Sequence, residues 1–107
     1  MHANAIVQLL NDSDAFVRSA TVQTLQNLSQ RDLATVAALI VPLLDDTEDF
    51  VRSDAVQALS GLDTADLATY AARIVARLED SAAHVRSAAL TTLQKLRPAD
   101  LATHATA

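Results

Sequence analysis

The sequence predicts an all-α protein, a right-handed α-solenoid of stacked antiparallel helix pairs, with about seven helical segments and truncated ends. Three observations lead there. Val-Arg-Ser recurs with its arginine at Arg18, Arg52 and Arg86, each 34 positions after the last. Half the chain is apolar but only 3% is aromatic, and the apolar letters are mostly Ala, Leu, Val and Ile. Ala and Leu are strong helix formers. One glycine and two prolines leave little material for hairpins or phosphate-cradling loops.

The repeat runs well beyond three letters. Asp12, Asp46 and Asp80 form one series, Leu25, Leu59 and Leu93 another, and Leu28, Leu62 and Leu96 a third. Ile6, Ile40 and Ile74 match, each followed by valine; Leu10, Leu44 and Leu78 match; and Asp-Leu-Ala-Thr recurs from Asp32, Asp66 and Asp100. The 107 residues form a single domain. A partial helix over 1–11 is followed by units of about 12–45, 46–79 and 80–107.

The elements follow in order. A short opening helix is expected near Ala3–Leu10. Each unit then holds two helices. In one, Val51, Ala55, Val56, Leu59 and Leu62 lie on a single helical face; in the other, Leu33, Ala37, Ile40, Val41 and Leu44 do. The turns NDSDA, DDTED and EDSAA supply acids and hydroxyls that cap helix starts, with either the Asp or the following Ser/Thr as the cap. The junctions LSQRD, LDTAD and LRPAD put the cap at Ser29, Asp63 and Arg97. Pro98 then stands at the first helical position, where its missing N–H costs nothing. Arg97 is a poor cap and marks a weaker start for the last, truncated helix. Each helix pair is too small to enclose a core alone, so neighbouring pairs must stack.

Asp12 followed six residues later by Arg18 after a valine, and the trailing Ala55-Val56-Gln57-Ala58-Leu59-Ser60-Gly61-Leu62, resemble the HEAT repeat. Pro42, inside the first helix of its pair, agrees with a kinking proline common in that family, although Gln8 and Ala76 stand at the equivalent sites. A 34-residue period also suits tetratricopeptide repeats, but the bulky aromatics those require are missing here. His2 and His104 occupy one repeat position, with Val36 and Tyr70 between them. The chain thus starts and stops partway through a helix, as expected of a piece of a longer solenoid. The two half-helices are complementary, so head-to-tail self-stacking is also expected.

Two readings fit the row Arg18, Arg52, Arg86 and the matching row Asp12, Asp46, Asp80. One is an anion-binding strip, given the fork geometry of guanidinium. The other is an Asp–Arg ladder in which each carboxylate accepts from a guanidinium and from N–H groups at a helix start. Equal numbers of both charges favour the ladder, and the family resemblance implies it.

Partner contact is expected on the outward side of the second helices, at Ser19, Gln23, Gln26, Ser53, Gln57, Ser60, Ser87, Thr91 and Gln94. Offsets of 0, 4 and 7 put each trio on one helix face. The resemblance implies that this row lines the concave side of the stack, where a protein or peptide would bind. A second apolar stripe, Val36, Leu39 and Leu43, becomes Tyr70, Arg73 and Arg77 one unit on; exposed apolar surface of that kind can mark a contact.

Other chemistry finds little support. The absence of cysteine removes disulfides and thiolate metal sites, and is compatible with an intracellular, cytoplasmic protein without requiring one. The three histidines lie in no ligand spacing, and the acidic turns lack the glycine and spaced ligands of a calcium loop. A net charge of −5 with eight scattered cations disfavours nucleic acid. No apolar run approaches the roughly 20 residues that span a bilayer. A nucleophile such as Ser19 would recur in triplicate, so neither catalysis nor a cofactor is expected. The reading is therefore a non-catalytic protein-interaction scaffold. The alternatives are a purely structural spacer or a chromophore-lyase-like module, since HEAT-like repeats also resemble those of bilin lyases.

Overall fold

The apolar positions spaced for one helical face become the core of a two-layer stack. The computed structural model describes residues 3–96, with side chains from Asn4 onward. One layer holds α1 (Ala3–Val7), α3 (Gln30–Ile40), and α5 (Thr64–Thr69) followed by α6 (Ala71–Ala76). The other holds α2 (Ala15–Leu25), α4 (Asp49–Leu59) and α7 (Ala83–Leu93), with α4 packed between α2 and α7. The body measures 38 × 30 × 18 Å. Its thinnest dimension is that of two helices of roughly 10 Å diameter.

Both sets of periodic apolar residues are inside. Val51, Ala55, Val56, Leu59 and Leu62 are buried, as are Leu33, Ala37, Ile40, Val41 and Leu44. Burying each large aliphatic side chain contributes about 1.5–3 kcal/mol, so the merged stripes drive the stacking. Thr21 and Thr92 are also buried, and their hydroxyls donate to the carbonyls of Val17 and Ala88 at 2.7 and 2.8 Å. Gly61 sits where a Cβ would lie 3.0 Å from Leu33 Cδ2 and 3.3 Å from Ala58 O. Its bare backbone lets the end of α4 approach α3.

Seven α-helices and no strand occur among the described residues, but the count arises differently from the sequence reading. The first helix of the third pair is divided at Tyr70, whose φ/ψ of −105°/7° interrupts it between α5 and α6. The break coincides with tyrosine replacing the buried Val36 of the preceding pair. The segment expected after Pro98 lies outside the described residues, as do His2, His104 and the cap expected at Arg97.

All three first-layer helices end by tightening into 3₁₀ turns, at Gln8–Asn11, Val41–Asp45 and Arg77–Glu79. Only the second of these contains a proline, Pro42, as its second residue. The tightening therefore belongs to the repeat and does not require proline: Gln8 also lies in the 3₁₀ turn of its unit, while Ala76 is the last residue of α6 just before its turn.

The caps divide into two groups. Ser29 and Asp63 accept from the N–H groups of Asp32 and Asp66, at 3.2 and 2.9 Å, as the sequence suggests. At the other turns the helix begins three residues after Asp12, Asp46 or Asp80, so the N-cap, two residues after each, is Asp14, Glu48 or Ala82. Neither the repeated Asp nor the next Ser/Thr caps the helix. Instead each Asp folds its Oδ1 back onto the N–H two residues on, at 2.8, 3.0 and 2.9 Å. That turn leaves most of the carboxylate free for a different partner.

Candidate functional site

The free carboxylate edges face the preceding pair. Arg18 donates from Nε and Nη2 to the two oxygens of Asp46, at 2.8 and 3.0 Å, and Arg52 does the same to Asp80 at 2.8 and 2.9 Å. Each arginine also anchors at home. The Nη1 atoms of Arg18, Arg52 and Arg86 donate to the carbonyls of Asp12, Asp46 and Asp80 at 2.7–2.8 Å. The forked geometry spans from one helix pair to the next and is the stronger, charge-assisted kind of hydrogen bond.

Burial pushes the Asp46 carboxyl upward, but the hydrogen bonds from Arg18 and the Glu48 N–H outweigh it and hold it below the ordinary range. At Asp80 the Arg52 hydrogen bonds dominate over burial, with the Ala82 N–H assisting, and the carboxyl is likewise lowered. Arg18 and Arg52 are correspondingly raised by hydrogen bonds to their carboxylates. An arginine consumed in this way has no fork to offer a soluble anion.

The polar row on the second helices is not uniform. Ser19 and Ser53 are buried, because the position after each arginine turns toward the neighbouring second helix rather than to solvent. The Ser19 hydroxyl donates to Asp54 Oδ2, and Gln23 Nε2 reaches the same oxygen at 3.3 Å. Asp54 thus ties α2 to α4. One step on, Ala88 stands in the place of Asp54. There Gln57 Nε2 turns back to Ser53 Oγ at 3.1 Å, and among the described residues neither group finds a cross-unit acceptor.

A cleft of about 350 Å³ opens at that step, between α4 and α7. Gln57, Ser60, Ser87 and Thr91 of the expected row line it, joined by His84 and Lys95. Gln57, Ser87 and Thr91 are exposed, while Ser60 is half-buried and its hydroxyl bonds to the Gln57 carbonyl at 2.6 Å. Lys95 Nζ reaches across the floor to the Ser60 carbonyl, 2.6 Å away. Gln23, Gln26 and Gln94 are exposed but outside the cleft. Sequence reasoning placed no weight on Asp54, Lys95 or His84. The available signals were two departures within the repeated pentapeptide, Asp54 in place of Ala20 and Ala88, and His84 in place of Phe16 and Phe50.

The outer apolar stripe is not a continuous exposed surface. Val36 and Leu43 are buried, leaving Leu39 alone exposed. Arg73, one unit on, pairs with Asp45 at 2.9 Å, and Arg77 reaches Asp45 and Asp80 at 3.7 and 3.2 Å.

A family model described as HEAT repeats matches residues 2–60, more than half the chain. The chain belongs to the HEAT-repeat family. A second model, described as a HEAT repeat associated with sister chromatid cohesion, matches residues 73–93. Between them the two matches reach over most of these HEAT units and agree with the α-solenoid seen in the structure. No curated protein matches the chain. HEAT repeats generally mediate protein–protein interaction and are typically non-catalytic scaffolds. Among the described residues no helix is long and apolar enough to cross a membrane.

Proposed function

We propose that this HEAT-repeat chain is a non-catalytic scaffold that binds a peptide segment of a partner protein along its second-helix row, on the concave side of the stack. The carrying observation is the cleft between α4 and α7, where the cross-unit tie made by Asp54 is missing. Its walls offer hydroxyls at Ser87 and Thr91, the Gln57 amide and the Lys95 ammonium. Uncharged donors and acceptors suit the backbone of an extended peptide, because they pair with peptide N–H and C=O groups without a large desolvation cost. The Arg18–Asp46 and Arg52–Asp80 pairs serve this role indirectly, by fixing the spacing between units, while among the described residues Asp12 and Arg86 bond only within their own units.

Affinity selection from a random peptide library tests the reading. Selected peptides should bind the chain and lose binding to Ser87→Arg and Thr91→Arg, whose long side chains fill the cleft. Binding to Gln26→Arg, on the same row but remote from the cleft, should persist. Peptides that ignore the first two substitutions would place the contact elsewhere. A chain that selects nothing would stand as a structural spacer.

A further inference from the structure

The junction between α2 and α4 is a template for the one between α4 and α7. At the first, the Asp54 carboxylate accepts from the Ser19 hydroxyl and from Gln23 Nε2, 3.3 Å away. Ser53 and Gln57 repeat these two donors one unit on, but Ala88 stands where their carboxylate would. Gln57 Nε2 turns to Ser53 Oγ at 3.1 Å, and among the described residues the Ser53 hydroxyl donates to no group. Ser53 is only 6% exposed. A buried hydroxyl hydrogen without an acceptor costs free energy that an incoming acceptor recovers.

The place of the missing group is open. The cleft reaches down to Ala88 and to the buried Thr92. Its edge differs too. Phe16 stacks on Phe50 across the first junction, with ring centroids 5.2 Å apart, whereas His84 takes the aromatic position at the second. His84 Nε2 lies 3.8 Å from Asp49 at that edge. No acid is among the residues that line the cleft, and its fixed charge is the Lys95 ammonium.

We propose that the cleft takes an acidic side chain of the bound peptide, an aspartate or glutamate whose carboxylate occupies the place that Asp54 fills one junction earlier. The Ser53 hydroxyl and the Gln57 amide donate to it, as Ser19 and Gln23 donate to Asp54. The Lys95 ammonium supplies the opposite charge. Hydrogen bonds to an ionised acceptor are roughly twice as strong as those between neutral groups, so this one side chain anchors the peptide and selects it. The inference rests on the peptide-binding reading above and names the group that the cleft recognises.

NMR titration of the full chain with single-residue probes at millimolar concentration tests this apart from any peptide. N-acetylglutamate N-methylamide and N-acetylaspartate N-methylamide carry a side-chain carboxylate. N-acetylglutamine N-methylamide is the neutral control, and N-acetylalanine carries its carboxylate at a chain end. At least one side-chain acid should shift the amide signals of Ser53, Gln57 and Ala88. The glutamine probe should bind at least about tenfold more weakly, through loss of the charge-assisted bonds. Ala88→Asp installs the missing acceptor and should abolish the shifts, while Ser53→Ala should weaken binding about threefold. Circular dichroism verifies that both variants fold. Absent shifts, equal binding of the glutamine probe, tighter binding of N-acetylalanine, or shifts that survive Ala88→Asp overturn the proposal. Acid-probe binding without any library peptide removes the peptide reading and keeps the carboxylate site. Cleft-dependent library peptides that carry no aspartate or glutamate do the reverse.

Discussion

Three arginines share one tripeptide, yet only two should matter strongly to stability. Arg52→Ala removes the fork on Asp80, an acid whose side chain is only 2% exposed, and two bonds to turn carbonyls. Breaking a buried pair costs about 3–5 kcal/mol when the surviving charge is left alone. Asp80 is not left alone, because Arg77 Nη1 at 3.2 Å and the Ala82 N–H at 2.9 Å still donate to it. The expected loss is therefore smaller, about 2–3 kcal/mol. For a domain of this size that corresponds to a fall in Tm of about 10–20 °C. Arg86→Ala is the control. It deletes the same side chain but only one hydrogen bond from an exposed group, costing about 1 kcal/mol or less. Thermal unfolding followed by circular dichroism at low protein concentration reads both. Equal falls for the two variants, or a fall below about 3 °C for Arg52→Ala, would refute the argument that the fork to the next unit carries the stability.

Three further outcomes follow from the same geometry. Asp46 and Asp80 ionise more readily folded than unfolded. Their contribution is present above the unfolded carboxylate pKa of about 4 and is lost as pH falls through it toward the folded values. Tm should hold from neutrality to about pH 5 and then drop, and Asp80→Asn should flatten that drop. Ala88→Asp recreates at the second step the acceptor that Asp54 provides at the first. It should draw in Ser53 and Gln57 and narrow the cleft, so that selected peptides bind more weakly while Tm holds or rises. Leu59→Ala, at a fully buried site, should cost about 2–5 kcal/mol. Leu90→Ala, one unit beyond Val56 in the same row, should cost the single chain about 1 kcal/mol or less, because solvent already covers much of it.

The sequence alone settled the layers and the core. A 34-residue register with apolar letters at helical offsets admits few arrangements besides stacked pairs, and Leu33, Ile40, Val51 and Leu59 lie where that spacing puts them. Ser29 and Asp63 were legible as caps, since a cap is a local matter of one side chain and an N–H three residues away. What depends on a neighbouring unit was only partly legible. The repeated Asp reads both as a cap and as the acid of an Asp–Arg ladder. The tertiary structure shows that it does not cap, that it turns back on its own loop, and that Asp46 and Asp80 receive the arginine 28 residues earlier. Ser19 and Ser53 looked like surface, because offsets on one helix reveal a shared face but not whether a second helix covers it. The cleft lies where Ala88 stands in place of Asp54, and periodicity does not say what such a departure leaves open. Local pattern decided which residues face inward; the stacking of one pair on the next decided which polar groups are used up and which remain for a partner.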